Sequence, residues 1–219
     1  MRPAHGSVTT PKGTIWRVDP RRILALPGAY RFVAALLRPR QAPIFAHEYV
    51  HARPGDRILD VGCGPGTLLA ELPAGIYYVG FDKSEPYVRA ARARFGDRGS
   101  FFCRTVDRSV VDELGAASFD LVIAHGVLHH LDDAEADEFF VLARRALTPG
   151  GRLITADGCY VAGQSRMARY LLARDRGAHV RTEEAYRVLA ARRFGSVTSD
   201  IRHDTSRVPY TIVYLVCSG

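Results

Sequence analysis

Long apolar runs are missing from this sequence. No stretch approaches the ~18 uncharged apolar residues of a membrane span, and the first residues, interrupted by Arg2, Lys12 and Arg17, lack the apolar core of a secretion signal. Internal repeats are also absent, and the four cysteines show neither the short pairing of metal ligands nor the density of a disulfide scaffold. These absences favour a cytoplasmic protein with reduced cysteines.

Acidic residues are almost missing from the first 45 positions. This segment holds eight Lys or Arg residues and only Asp19 against them, which accounts for the whole formal net charge of +7. The other residues are balanced in charge. We therefore predict a basic N-terminal arm over residues 1–45 and a main domain over residues 46–219. A basic arm favours contact with nucleic acid, an anionic lipid surface or a phosphorylated acceptor.

Arginines alternate with apolar residues between positions 21 and 38. Pro27-Gly28 breaks this pattern and Pro39 stops it, which predicts a helix from about residue 29 to residue 38. One interpretation is a helical lid whose apolar face packs over a ligand pocket. The alternative is a helix that lies on a membrane surface and gives the protein peripheral membrane contact.

Three glycines at alternate positions, Gly62, Gly64 and Gly66, follow the apolar strand pattern Ile58–Val61, and a helical pattern opens behind them. Glycines in such a turn let the backbone bend sharply and approach a ligand without a Cβ in the way. The N–H groups of the helix start add a polar cradle. Asp82 ends the next apolar strand, where α/β nucleotide-binding folds hold ribose hydroxyls.

Strand and helix patterns alternate along the chain, which predicts an α/β domain with a doubly wound, mostly parallel sheet. The strands are predicted at 58–61, 76–81, 101–103, 119–124, from the turn Pro149–Gly151 to about 156, 197–201 and 210–216. The helices are predicted at about 43–52, from 68 onwards, 84–95, 132–147 and from 182 to about 193. Residues 157–181 show no strand pattern and are expected to cover the site.

A nicotinamide dehydrogenase is the first alternative for the glycine loop. Its fingerprint requires Gly or Ala where this chain has Thr67, and an apolar residue usually stands at the position of Asp60. Residues 60–66, Asp-Val-Gly-Cys-Gly-Pro-Gly, instead resemble the first motif of class I S-adenosylmethionine-dependent methyltransferases. Three further segments are similar to later landmarks of that family, in the same order: Ser118–Ile123, Leu128–Asp133 and Leu147–Ile154.

This resemblance implies a Rossmann-like methyltransferase fold, with a seven-stranded sheet that ends in an antiparallel hairpin strand, and S-adenosyl-L-methionine as the cofactor. It places Asp60 near the ammonium group of the methionine moiety, Asp82 at the ribose hydroxyls and Asp107 near the adenine amino group. Val106 stands where the family often has glycine, so a solvated or arginine-paired Asp107 is the alternative. The residues expected to bind the cofactor are Asp60, Gly62, Cys63, Gly64, Gly66, Asp82, Lys83 and Asp107.

Methyl transfer needs donor and nucleophile aligned at near-attack distance with water excluded, and an alcohol, phenol or acidic carbon must also lose a proton to a base. The crevice beyond the fourth and fifth strands holds His125 and Tyr160 besides the three residues expected to be catalytic. Those three are His129, His130 and Asp157. A packing role for the two histidines is the alternative, since Leu-His-His-Leu recurs in family members with differing acceptors.

Arg176 and Arg181 lie in a dense polar run before the last predicted helix. Their guanidinium groups could clamp a carboxylate or phosphate of the acceptor, but in so arginine-rich a chain a solvated loop with local ion pairs is favoured. No metal site is expected, because the fourth strand ends in Ala124-His125, where catechol-type members of the family place an aspartate.

Three functional classes fit these observations. The leading prediction is methyl transfer to a small-molecule acceptor, such as a metabolite or a sugar- or lipid-pathway intermediate. The second is a nucleic-acid methyltransferase, which the basic arm favours. However, the chain has His125–Leu128 in place of the Asn/Asp-Pro-Pro-aromatic loop of base methylation, and Cys159 lies outside a Pro-Cys context. The third is a non-catalytic S-adenosylmethionine-binding partner protein.

Overall fold

The computed structural model describes residues 41–174, 177–206 and 208–219, and a β-sheet organises them. The arm residues 1–40, with the helix predicted at 29–38, and Arg176 of the predicted clamp lie outside the described residues. The strands are β1 Arg57–Val61, β2 Tyr77–Asp82, β3 Ser100–Cys103, β4 Phe119–His125, β5 Leu147–Tyr160, β6 Arg181–Thr182, β7 Ser196–Arg202 and β8 Ile212–Ser218.

Six α-helices and three other helical segments connect these strands in the described part of the chain. The α-helices are α1 Gln41–Ile44, α2 Glu85–Phe95, α3 Arg108–Leu114, α4 Asp133–Ala146, α5 Arg166–Ala173 and α6 Glu183–Ala191. A π-helix, Phe45–Val50, continues α1, and two 3-10 helices cover Thr67–Glu71 and Leu128–His130.

The main sheet has seven strands in the order β3-β2-β1-β4-β5-β8-β7. The first five run parallel, and β8 lies antiparallel between β5 and β7. The short strand β6 pairs with the end of β5. This is the Rossmann-like, doubly wound sheet with an antiparallel hairpin strand that the sequence predicted, so the prediction of fold class is confirmed.

Apolar side chains alternate between the two faces of this sheet. In β1, Ile58 belongs to one hydrophobic cluster and Leu59 to the other, and Ile154 and Leu153 of β5 divide in the same way. Side chains of successive strand residues point to opposite faces, so each buried strand supplies both clusters. The apolar strands are therefore held from both sides, and their carboxyl ends form a fixed edge on which a site can be built.

Side chains cap the starts of two of the predicted helices. Asp132 accepts a hydrogen bond from the N–H of Glu135, and the Glu135 side chain accepts one from the N–H of Asp132, which forms a capping box at the start of α4. The Thr182 hydroxyl accepts from the N–H of Ala185 at the start of α6. Each cap satisfies backbone donors that a helix start leaves unpaired.

The strand β5 differs from its prediction at both ends. Leu147 pairs with Phe119 and Arg152 with Leu121, so the register of β5 against β4 shifts at Pro149–Gly151. The expected turn therefore lies inside β5 as an irregular stretch of the strand. The strand also continues beyond residue 156 to Tyr160, because residues up to Gly158 pair with β8. Pairing with a strand so distant in sequence cannot be predicted from the local pattern of residues in β5.

Three other connections also differ from the predictions. The segment behind the glycine loop is a five-residue 3-10 helix rather than a longer helix, and Pro73 follows its C-cap residue. The helix α3 was not predicted, although Asp107 caps it. The helix α5 lies in the segment without strand pattern; Ser165 caps it, and Ala168 and Leu172 are its buried residues.

The helical segment 41–50 crosses the predicted boundary between arm and domain at residue 45, and the division into residues 1–45 and 46–219 stays a prediction. No helix in the part of the chain that the structure describes is long and apolar enough to cross a membrane.

Candidate cofactor and acceptor site

The register of β1 and β2 brings the glycine loop against the end of β2. Val61 lies opposite Phe81, whose carbonyl accepts hydrogen bonds from the N–H groups of Gly62 (2.7 Å) and Cys63 (3.0 Å). One carboxylate oxygen of Asp82 accepts from Gly64 N–H at 2.9 Å, and the other accepts from Ser84 N–H at 2.7 Å. Asp82 therefore ties the middle of the loop to the start of α2.

Each of the three loop glycines has a positive φ, which side chains rarely adopt. A Cβ at Gly62 would lie 2.5 Å from Val127 Cγ2, and one at Gly66 would lie 3.0 Å from Phe95. A Cβ at Gly64 would meet no atom within 4 Å. The outer glycines are thus needed for packing within the protein, whereas the middle one borders open space where a ligand could contact the backbone.

Cys63 and Lys83, two of the residues expected to bind the cofactor, differ in exposure. The Cys63 side chain is buried against Gly80, and a Cβ at Gly80 would lie 2.9 Å from its sulfur. Burial and the nearby carboxylates of Asp60 and Asp82 raise the pKa of this thiol. Lys83 is exposed, and its carbonyl oxygen lies 3.6 Å from the Cys103 sulfur. Only the backbone of Cys63 can therefore face a ligand.

Asp60 is a buried carboxylate, with 2% of its surface exposed. The buried Tyr78 hydroxyl donates a hydrogen bond to this carboxylate. Burial, with a smaller contribution from the charge of Asp82, raises the pKa of Asp60 to about 7, although the Tyr78 hydrogen bond acts in the opposite direction. A buried charge of this kind is costly without a cationic partner, which makes Asp60 a candidate to face a ligand cation.

This raised pKa gives the first testable prediction. If Asp60 faces the ammonium group of the cofactor, bound ligand favours the ionised carboxylate and lowers its pKa below 7, so binding releases a proton. The affinity for S-adenosylhomocysteine should then fall by up to about tenfold per pH unit as the pH drops from 7 to 5.5, and level off above 7. Calorimetry across this range measures it. The Asp60→Asn variant should bind more weakly but lose the slope, and an unchanged slope in that variant would remove Asp60 from the account.

Asp107 has a structural role in this fold. Its Oδ1 accepts from the Val110 N–H at 2.9 Å and from the Ser109 hydroxyl at 2.7 Å, which caps α3. These hydrogen bonds, with a smaller effect of Arg104, lower the pKa of Asp107. Arg104 itself pairs with Glu113. Asp107 is therefore an exposed helix cap, in agreement with the solvated alternative, and contact with adenine stays a prediction.

On the acceptor side, the pairing of β4 with β5 brings two of the three expected catalytic residues together. His125 lies opposite Ala156, so the chain after β4 passes Asp157. One oxygen of Asp157 accepts from the His129 backbone N–H at 3.1 Å and lies 2.7 Å from its Nδ1. Both residues are buried, and the other Asp157 oxygen has no hydrogen-bond partner among the described residues. The arrangement orients one buried imidazole with a carboxylate.

The other candidates on this side differ in exposure. His130 is exposed, and its ring centroid lies 4.2 Å from that of His129. The ring of His125 packs against Phe45 at 5.1 Å. The guanidinium of Arg169 lies over the ring of Tyr160 at 5.4 Å.

Arg181 makes local contacts within the protein, which supports the local ion pairs that the sequence favoured over a clamp on the acceptor. Its side chain is 8% exposed and bonds to Asp133 through Nε and Nη2. It also donates to the carbonyls of Leu128, Leu131 and His179. These contacts leave the guanidinium directed at the protein.

Three contacts of the site were not predicted from the sequence. Tyr78 bonds the Asp60 carboxylate, Ser84 donates its N–H to Asp82, and Arg181 binds the segment that carries the histidines. Strand alternation could have placed Tyr78 beside Asp60. Ile58 pairs with Tyr78 in the register of β1 and β2, and Asp60, two residues after Ile58, lies on the same face of the sheet. The Arg181 contacts span about 50 residues and have no local signal.

Comparison with known proteins decides the family. A model described as a methyltransferase domain matches residues 59–153. A ubiquinone biosynthesis O-methyltransferase of Chelativorans sp. is 31% identical over 185 residues, which cover 76% of this chain and 69% of that protein. The chain belongs to the class I S-adenosylmethionine-dependent methyltransferases. The predicted family and its cofactor, S-adenosyl-L-methionine, are thereby confirmed.

Two further matches cover less of the chain or share less of its sequence. An uncharacterised methyltransferase of Mycobacterium tuberculosis is 37% identical over 100 residues, which cover 44% of this chain and 47% of that protein. The chain thus spans less than half the length of some of the curated relatives it matches. The crystal structure of a TehB-like SAM-dependent methyltransferase from Corynebacterium glutamicum has a TM-score of 0.58 at 19% identity, and the match covers 92% of this chain and 100% of that one. At this identity the likeness concerns the fold.

Proposed function

We propose that the protein transfers the methyl group of S-adenosyl-L-methionine to a hydroxyl group of a small-molecule acceptor in the cytoplasm. The observation that carries this proposal is the buried pair of His129 and Asp157 at the carboxyl ends of β4 and β5, on the same sheet edge as the glycine loop. The loop touches the connection that carries the pair, since Gly62 faces Val127. An O-methyltransferase relative aligned over 76% of the chain supports a small acceptor.

The donor side would use three parts of the chain. The backbone at Gly64, with open space before it, would lie along the methionine moiety. Asp60 would face the ammonium group. Asp82, which already accepts two backbone N–H groups, has further lone pairs for ribose hydroxyls. The remaining expected contacts, at Gly62, Gly66, Cys63, Lys83 and Asp107, belong to the same proposal.

The acceptor side would supply a base. When bound, the cofactor supplies an electrophilic methyl group, and a hydroxyl nucleophile must lose its proton. Asp157 accepts from Nδ1 of His129, which selects the tautomer with the proton on that nitrogen. Nε2 is then the atom that takes the proton, and the carboxylate stabilises the imidazolium that forms. His130, the exposed neighbour, would contact the acceptor rather than hold the proton.

Two other functions predict different products. A nucleic-acid methyltransferase would mark RNA or DNA, although His125–Leu128 replaces the proline-containing loop of base methylation. A non-catalytic partner protein would bind the cofactor without transfer. Peripheral membrane contact through the basic arm is compatible with each of the three.

A transfer assay with labelled S-adenosylmethionine tests the proposal. The full chain is incubated with 3,4-dihydroxybenzoate, with bulk tRNA and with fractionated cell extract, and the products are identified by mass spectrometry. Label on a hydroxyl of the phenol or of an extract metabolite is expected. Label on tRNA at physiological salt would contradict the proposal, and saturable binding of S-adenosylhomocysteine without transfer to any fraction would favour the partner protein. Retention on RNA at low salt alone would not count, since basic segments bind phosphates non-specifically.

A further inference from the structure

The strand β6 fixes Arg181 beside the acceptor side of the site. Its pairing with β5 places Arg181 opposite Cys159, two residues beyond Asp157. The backbone N–H of Arg181 lies 3.4 Å from the Tyr186 hydroxyl, which in turn donates to the carbonyl of Gly158. The base of the Arg181 side chain is therefore held by the same strand that carries Asp157.

The guanidinium of Arg181 binds both sides of the 3-10 turn Leu128–His130. Nη1 donates to the Leu128 carbonyl at 2.9 Å, and Nη2 donates to the Leu131 carbonyl at 2.8 Å. Nε and Nη2 also bond one oxygen of Asp133, at 2.9 and 2.7 Å. The planar guanidinium group can make all these contacts in one orientation. The ammonium group of a lysine is a compact charge and cannot reach both carbonyls in this way.

A second set of contacts closes the same segment over His129. The N–H of His179 donates to the carbonyl of His129 at 3.0 Å. Gly177 lies so close that a Cβ there would be 2.0 Å from the His129 ring. The guanidinium also donates to the His179 carbonyl at 3.0 Å. One arginine thus joins the turn before α4 to the segment before β6, with the imidazole of His129 between them.

We propose that Arg181 is a positioning residue for methyl transfer, which sets the place of His129 by fixing the carbonyls of Leu128 and Leu131. This inference rests on the proposed function for its effect on rate, but the positioning itself is independent of that function. A displacement of the order of 1 Å in a catalytic group costs up to about 10²-fold in rate. Loss of the Arg181 contacts to the two carbonyls should therefore lower the turnover rate and leave the cofactor affinity of the glycine loop unchanged.

Arg181→Lys and Asp133→Asn form a matched pair of variants. Lysine keeps the charge beside Asp133 but cannot bind both carbonyls as a fork. Asn at 133 removes the ion pair, which involves a carboxylate with 81% of its side chain exposed, and leaves the carbonyl contacts in place. Both bonds from Arg181 reach a single Asp133 oxygen, which an amide also provides, so Asp133→Asn is expected to change turnover by less than about twofold.

The experiment combines a rate with a binding and an exchange measurement. With 3,4-dihydroxybenzoate as the probe acceptor, kcat of Arg181→Lys should fall about tenfold or more, while KM for the cofactor and the Kd of S-adenosylhomocysteine stay within about twofold of wild type. Amide hydrogen exchange should rise at residues 128–133 and 177–182 but not in the glycine loop. The Asp133→Asn protein should show neither change.

Outcomes for Arg181 and for the proposed function separate cleanly. If wild type transfers no methyl group to any acceptor, the proposed function fails, and exchange alone decides the role of Arg181. Unchanged exchange in Arg181→Lys overturns the inference, as does wild-type kcat in that variant. A parallel loss of kcat, cofactor affinity and melting temperature also overturns it, because that pattern marks general destabilisation. Arg181→Met, which keeps the stem and removes all donors, should reproduce the loss of kcat.

Discussion

Binding of S-adenosylhomocysteine is expected to weaken by about two orders of magnitude in the Asp82→Asn variant, since each lost charge-assisted hydrogen bond costs roughly 1.5–3 kcal/mol. The ionised carboxylate accepts from both Gly64 N–H and Ser84 N–H and keeps lone pairs for the ribose. An amide has one oxygen, so its NH₂ group would meet one of these backbone donors. Calorimetry measures the affinity directly.

Asp56→Asn is the matched control for this prediction. Asp56 also accepts a backbone hydrogen bond, from Arg53 N–H at 2.7 Å, but it lies at the entry to β1 rather than at the carboxyl ends of the strands. Its variant should bind S-adenosylhomocysteine as wild type does. If both variants bind equally well, Asp82 does not hold the ligand and the ribose assignment fails.

Loss of His129 is expected to lower turnover by roughly 10²–10⁴-fold if it is the base. His129→Gln removes the imidazole, and Asp157→Asn removes the carboxylate that bonds its Nδ1, so both variants should lose rate while binding of S-adenosylhomocysteine is retained. His130→Gln is the neighbouring comparison, because His130 is exposed whereas His129 is buried against Asp157. The assay is single-turnover methyl transfer to the probe acceptor.

Wild-type rates in both His129→Gln and Asp157→Asn would show that alignment alone drives transfer. In that case the pair has the packing role that the sequence also allowed. A loss of rate in His130→Gln alone would move the base to the exposed histidine. Melting curves for all three variants are needed, because Asp157 and His129 are both buried and a change in either alters the hydrogen bonds between them.

Features with a local cause could be predicted from the sequence. The glycine loop, Asp82 at the strand end and the capping box of Asp132 and Glu135 each follow from residues within a few positions of one another. The seven-stranded sheet with its antiparallel hairpin strand followed from the family resemblance, and the structure has it.

Features that depend on distant partners could not be predicted. The extension of β5 follows from pairing up to Gly158 with β8, more than 50 residues later, and from pairing of Cys159 and Tyr160 with β6. The raised pKa of Asp60 requires knowledge of its burial. The carbonyl partners of Arg181 could not be predicted, because an arginine in a polar run has the same local sequence whether its guanidinium faces a ligand or a set of carbonyls.

Calorimetric titration of the full chain with S-adenosylhomocysteine tests the central claim most directly. The account predicts saturable binding at one site per chain, and loss of that binding in Gly64→Val but not in Gly150→Val. Both glycines have a positive φ and open space beside them, so the two variants share the backbone strain and differ in position. Tight binding of NADH without binding of S-adenosylhomocysteine would contradict the account.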